Sequence, residues 1–126
     1  MNPIAAFFST LLASRTQAHI YHWQVQGPGS DAAHRALGAY YDSIIALIDP
    51  LVESIQGKQG ILTGYSSPGQ IREFISFEEI IAYFTALSMY VEQNRNKLPQ
   101  DTYVQNQVDN IAELLNTTIY KLKFLK

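Results

Sequence analysis

The sequence predicts an all-α fold, a bundle of four long amphipathic helices forming one domain over residues 1–126, on three observations. Apolar side chains recur at alternating spacings of three and four in four long stretches, as they do on helices that bury one face. Nothing alternates with period two over the length of a strand. Glycine, proline and small capping residues punctuate the stretches where helices would start and stop.

The first helix is predicted over residues 3–26, with Ile4, Phe8, Leu11, Ala18, His22 and Val25 on one stripe and Arg15 in a slot of the same stripe. Pro3 suits a first turn, where no N–H is needed, and Gly27, Pro28 and Gly29 stop the helix. Ser30 is placed to cap the second helix, with Asp31 at the positive end of its dipole. That helix should run to about Gln56, end at Gly57 and Gly60, and bury Leu37, Tyr41, Ile44, Ile48, Val52 and Ile55. Pro50 interrupts it and is expected to kink it beside Asp49.

Ser67, Pro68 and Gln70 have the spacing of a helix start and predict a short helix through about Ile75. Ser76, Phe77, Glu78 and Glu79 repeat the pattern and open a third long helix with Ile80, Ile81, Phe84, Leu87 and Val91 inward. Pro99 breaks the chain before a fourth helix from about Asp101, which turns Val104, Val108, Ile111, Leu115, Thr118 and Leu122 to the core. Some twenty residues separate the first helix pair from the second, enough for that connection to cross the length of the bundle. Such a crossover, carrying the short helix, is a ferritin-like topology rather than a simple up-and-down one.

Nine Lys and Arg stand against eleven Asp and Glu, a net charge of −2, so no basic field is available to attract nucleic acid. The absence of Cys excludes disulfides and thiolate metal sites. The apolar N-terminal run lacks a preceding basic region and makes a poor secretory signal, and no segment has the ~18 apolar residues of a membrane span. The expectation is a soluble, cytoplasmic protein in which the sequon at Asn116 goes unused.

The chemistry-bearing stretch is His22 to Glu53. It places His22, His34, Asp49 and Glu53 near one helix-turn-helix unit, and neutral nitrogen with anionic oxygen suits iron, manganese or zinc better than calcium. Asp49 and Glu53 stand four apart, one turn along one helix face, where they can chelate or bridge ions. Asp42, seven before Asp49, lies on nearly the same stripe and is a further candidate ligand, though its plainer reading is a surface carboxylate. His22 alone would read as a core histidine bonded to a backbone carbonyl, His34 as a first-turn surface residue, and His19 as solvent-facing or a subunit contact. A zinc hydrolase built on His19, His22 and His34 has no placed general base. Eight tyrosines suit subunit interfaces better than catalysis.

The string HWQVQGPGSDAAH, the spacing of twelve from His22 to His34, and the Asp49 and Glu53 pair beginning fifteen residues later resemble the DNA-protecting miniferritins of starved cells, the Dps family. PGQIREFISFEE and NIAELLNTTIYKLKFL resemble that family's entry to its third helix and its C-terminal helix, so the similarity covers nearly the whole chain. The resemblance implies ferroxidase centres at two-fold interfaces, where His22 and His34 of one subunit face Asp49 and Glu53 of its neighbour. It also implies a hollow dodecamer that oxidises Fe(II), preferably with hydrogen peroxide, and stores the ferric product. Trp23 matches an aromatic position that the family places beside the iron.

Three departures accompany the likeness. The family usually has a carboxylate four residues after the second histidine, and here that position is Gly38, a mid-helix glycine that costs ~1 kcal/mol relative to Ala and suggests that something needs the space. Many members bind DNA through a Lys-rich tail before the first helix; here no Lys precedes Lys58, so DNA binding is not expected. The chain is also shorter than most members, which is similar to the small ferritin-like proteins carried by some phages. The competing expectation is a bundle that keeps the assembly and has lost ferroxidase chemistry, serving as a structural or partner-binding oligomer.

Overall fold

Helix capping begins at the second residue. In the computed structural model, which describes residues 2–126, the Asn2 side chain accepts hydrogen bonds from the N–H groups of Ile4 at 2.9 Å and Ala5 at 3.3 Å, and Pro3 takes the first helical position. From there α1 spans Pro3–Gln24, α2 Ser30–Gln59, α3 Phe77–Asn94 and α4 Thr102–Phe124, with a 3-10 turn, Arg95–Lys97, after α3. The described residues contain no strand, and none of their helices is long and apolar enough to cross a membrane.

α1 packs on α2, α2 on α4 and α4 on α3, while α1 and α3 approach each other only loosely. Every neighbouring pair is antiparallel. Ser14 meets Tyr40 and His22 meets His34 across the first hairpin, and Arg95 reaches Asp109 across the second. Lys58 at the end of α2 bonds Asp101 at the start of α4, and Phe7 lies against Tyr90 between α1 and α3. α2 and α3 therefore point the same way on opposite corners. Residues 60–76 must carry the chain from one end of the bundle to the other.

They do so as an irregular strap laid along α1. Gly64 sits beside Asn2, the Ser66 N–H donates to Ser9 Oγ at 3.1 Å, and the Phe74 N–H donates to Gln24 Oε1 at 2.7 Å. Midway, Gln17 holds Arg72 at both ends of the residue, accepting from its N–H at 2.7 Å and donating to its carbonyl at 2.9 Å. The short helix predicted over 67–75 is therefore absent. Backbone groups that a helix would pair with one another are taken by side chains of α1.

Other boundaries shift for local reasons. α1 stops two residues earlier than predicted, and the cap of α2 is Gly29 rather than Ser30, because Gly29 adopts a left-handed φ of 84° that closes the turn. Gly57 lies inside α2, which continues to Gln59; Gly60, at φ 94°, ends it. α2 stays one helix through Pro50, whose exposed position leaves the carbonyl freed by the missing N–H at the surface, within reach of water. Ser76 caps α3 as predicted, its Oγ accepting from the Glu79 N–H at 3.2 Å.

All six predicted inward residues of α4 are buried, as are Ile80, Phe84, Leu87 and Val91 of α3, while Ile81 of α3 and Tyr41 and Val52 of α2, also predicted inward, are only half-buried. α1 departs from its predicted stripe. Ile4, His22 and Val25 are only half-buried and Arg15 is exposed, whereas Phe7, Ser14, Gln17 and Tyr21 join Phe8, Leu11 and Ala18 in the interior, because α2, α3 and the strap cover α1 on several sides.

Candidate metal centre

The α1–α2 turn brings the ends of two helices together and sets His22 against His34. Their rings stack with centroids 3.6 Å apart and planes 17° from parallel. Each ring bonds the other residue's backbone: His22 Nδ1 lies 2.7 Å from the His34 carbonyl oxygen, and His34 Nδ1 lies 2.8 Å from that of His22. A carbonyl only accepts, so both Nδ1 atoms carry a hydrogen, and the neutral form of each ring has its lone pair on Nε2. The His22 carbonyl is one of those left without a helical partner where α1 ends, so His34 also caps that helix.

Fixing Nδ1–H on a carbonyl is the arrangement that orients imidazoles for metal ligation through Nε2. The stacking restricts what they can ligate. A ligand lone pair lies in the ring plane, and two nearly parallel planes 3.6 Å apart do not converge on one ion at the usual ~2.1 Å metal–nitrogen distance. In this arrangement the two rings cannot share one ion.

Gly38 makes the pairing feasible. A Cβ at that position would stand 3.2 Å from His22 Cε1 and 3.3 Å from His22 Nδ1, so the ring occupies the space that a side chain would need. Around the pair, His19 stacks on Tyr41 with centroids 4.1 Å apart, Trp23 lies 4.5 Å from His19, and Tyr41 meets His22 edge-on at 5.3 Å. His19 is thus half-buried in an aromatic cluster of its own chain, whereas Trp23 is 66% exposed.

The carboxylates are elsewhere. Asp42, Asp49 and Glu53 are all exposed on α2, and at 1.5 Å per residue Asp49 lies ~22 Å and Glu53 ~28 Å along the helix from His34. Within one chain the predicted ligands form two separate pairs, and no group of three or more His, Asp or Glu among the described residues could hold an ion together. At 100° per residue, His34, Asp42, Asp49 and Glu53 fall within an arc of roughly 100° on one flank of α2, beside its buried stripe. Both pairs can therefore face one neighbouring surface.

The tyrosines divide. Tyr21 and Tyr40 are core residues with no exposed surface, contrary to the interface role expected for the set, while Tyr65, Tyr103 and Tyr120 are exposed. Sequence reasoning missed Gln17 and Gln24, whose side chains fasten the strap; amides on the apolar flanks of α1 were the available signal.

The profile of a family described as "Family of unknown function (DUF5856)" matches residues 22–122, from the first histidine of the pair to the last buried leucine of α4. Comparison with curated proteins and with solved structures returns no significant match.

Proposed function

The chain belongs to the DUF5856 family, and from its own residues we propose a ferritin-like, Dps-like protein that binds and oxidises Fe(II) at sites shared between two subunits. The observation that carries this reading is the reciprocal His22 and His34 pair. It presents two Nε2 lone pairs beside a helix whose exposed Asp49 and Glu53 can be supplied only by another chain. The antiparallel helix order and the full-length crossover strap are the arrangement ferritin-like bundles use, which further supports the reading.

In this proposal a two-fold partner lays its α2 antiparallel across the first, and the partner's carboxylate pair arrives at the histidine pair. Iron is the substrate. Two Fe(II) ions give two electrons, which with two protons convert one hydrogen peroxide to two waters; dioxygen is the slower oxidant. The carboxylates bridge and stabilise the ferric ions, the imidazoles complete their shells, and no protein nucleophile takes part. A closed shell of such dimers, a dodecamer in the family resembled, would store the ferric product. Zinc or manganese could occupy the same donors. DNA binding is not part of the proposal, since a net charge of −2 offers no basic field to nucleic acid.

The second reading is an oligomer without ferroxidase chemistry, and Gly38 favours it: the His22 ring fills the place where the family resembled carries a carboxylate. Two measurements separate the readings. Ferrous oxidation followed by absorbance should be lost in an Asp49→Ala, Glu53→Ala double variant, and equal rates in wild type and variant would refute the ferroxidase. Native mass spectrometry should show a closed oligomer retaining about one iron or zinc ion per chain; a metal-free assembly would favour the structural role.

A further inference from the structure

α1 and α3 stand apart along most of their length, and the strap closes only one side of the gap. What remains is an open groove of about 1090 Å³, slightly above the usual size of small-molecule sites. Small side chains make the gap: Thr10 and Ala13 on α1 face Ala82 and Ala86 on α3. The groove runs lengthwise, from Thr10 and Tyr90 at one end to Gln17, Arg72 and Tyr83 at the other, ~10 Å measured along α1.

Its charge is one-sided. Arg72 is the only charged residue in the lining, and it forms no ion pair with any carboxylate among the described residues. Glu73, its neighbour in sequence, bonds Gln24 instead. The guanidinium lies over the Tyr83 ring, 5.7 Å from its centroid, and the Gln17 clamp fixes the backbone behind it. Burial pushes the Tyr83 hydroxyl up to about 12, so at neutral pH it adds no opposing charge.

We propose that this groove binds an amphipathic carboxylate, a linear acyl chain lying between α1 and α3 with its head group on Arg72. The small side chains of Ala13, Ala82 and Ala86 leave room for an unbranched chain among mixed polar and apolar walls, the length fits one of medium size, and the lone guanidinium selects an anion over an alcohol. The site is separate from the histidine pair and does not depend on the iron reading.

The probe is decanoate, kept below its micelle concentration and titrated calorimetrically into the wild-type protein, with decanol as the uncharged control. Saturable binding of decanoate is expected. Arg72→Gln, which keeps the backbone clamps, should weaken it about tenfold while leaving decanol unaffected. Ala86→Leu, a change at an exposed helix position that fills the groove, should abolish both. No saturable decanoate binding, equal affinity in Arg72→Gln, or unchanged affinity in Ala86→Leu would each overturn the proposal; circular dichroism confirms that both variants remain helical.

Discussion

The Cβ that Gly38 lacks would lie 3.2 Å from Cε1 of His22, so the two residues share one space on the α1–α2 face. Gly38→Ala should therefore leave overall stability within about 1 kcal/mol of wild type, because the helix gains roughly what the displaced ring loses. The local effect should be large. Pushed aside, His22 loses its bond to the His34 carbonyl and with it the fixed Nδ1–H tautomer. A long-range proton–nitrogen spectrum of the imidazoles should show the Nδ1–H form for both rings in wild type and a mixture for His22 in the variant. A mixture in wild type would remove the basis for two presented Nε2 atoms.

Gln17 is 2% exposed and bonds both backbone groups of Arg72. Gln17→Met preserves volume and removes both bonds, leaving the Arg72 N–H and carbonyl to find other partners. The expected loss is about 1–3 kcal/mol in urea unfolding. Amide exchange should rise along the strap from Ser66 to Phe74, while α4 keeps its protection. Uniform acceleration throughout the chain would mean that the strap is not held locally.

How much of this was legible depends on what each element touches. α4 lies against α2 and α3 on one face, so a single periodic stripe described it, and all six inward residues were foreseeable. α1 is covered on several sides, and periodicity alone could not place Phe7, Ser14, Gln17 or Tyr21 inside. The strap defeated local reading because its capping signals compete with glutamines some fifty residues away in sequence. The site was legible as residue types and spacings. Its two halves could not be joined from one chain, since ~22 Å of helix separates His34 from Asp49.

Two buried tyrosines should respond in opposite directions. Tyr40 donates to Ser14 Oγ at 2.7 Å, while Ser14 donates to the Leu11 carbonyl at 2.6 Å. Ser14→Ala strands the Tyr40 hydroxyl in the core and should cost about 1–3 kcal/mol, whereas Tyr40→Phe leaves Ser14 paired and should cost about 1 kcal/mol. Tyr21 has nothing to lose, its hydroxyl being buried and unpartnered. Tyr21→Phe should match or exceed wild type in thermal unfolding, and a clear drop in Tm would show that the hydroxyl has a partner in solution.

Lys58 donates to Asp101 Oδ2 at 2.6 Å, tying the last turn of α2 to the start of α4. That hydrogen bond, together with their attraction, holds Asp101 below its ordinary 3.8 and Lys58 above its ordinary 10.5. For Asp101 the depressed folded value means stabilisation that is present above pH 3.8 and lost as pH falls through the folded value. For Lys58 the raised value means stabilisation that is present below pH 10.5 and lost as pH rises through the folded value. Both groups meet solvent, so the effect is small and screened by salt. The Tm difference between wild type and Lys58→Met should be level from about pH 5 to 10, fade as pH falls below the ordinary 3.8 of Asp101, and collapse in 1 M salt. A difference that survives acid and salt would assign the role of Lys58 to packing of its aliphatic stem rather than to its charge.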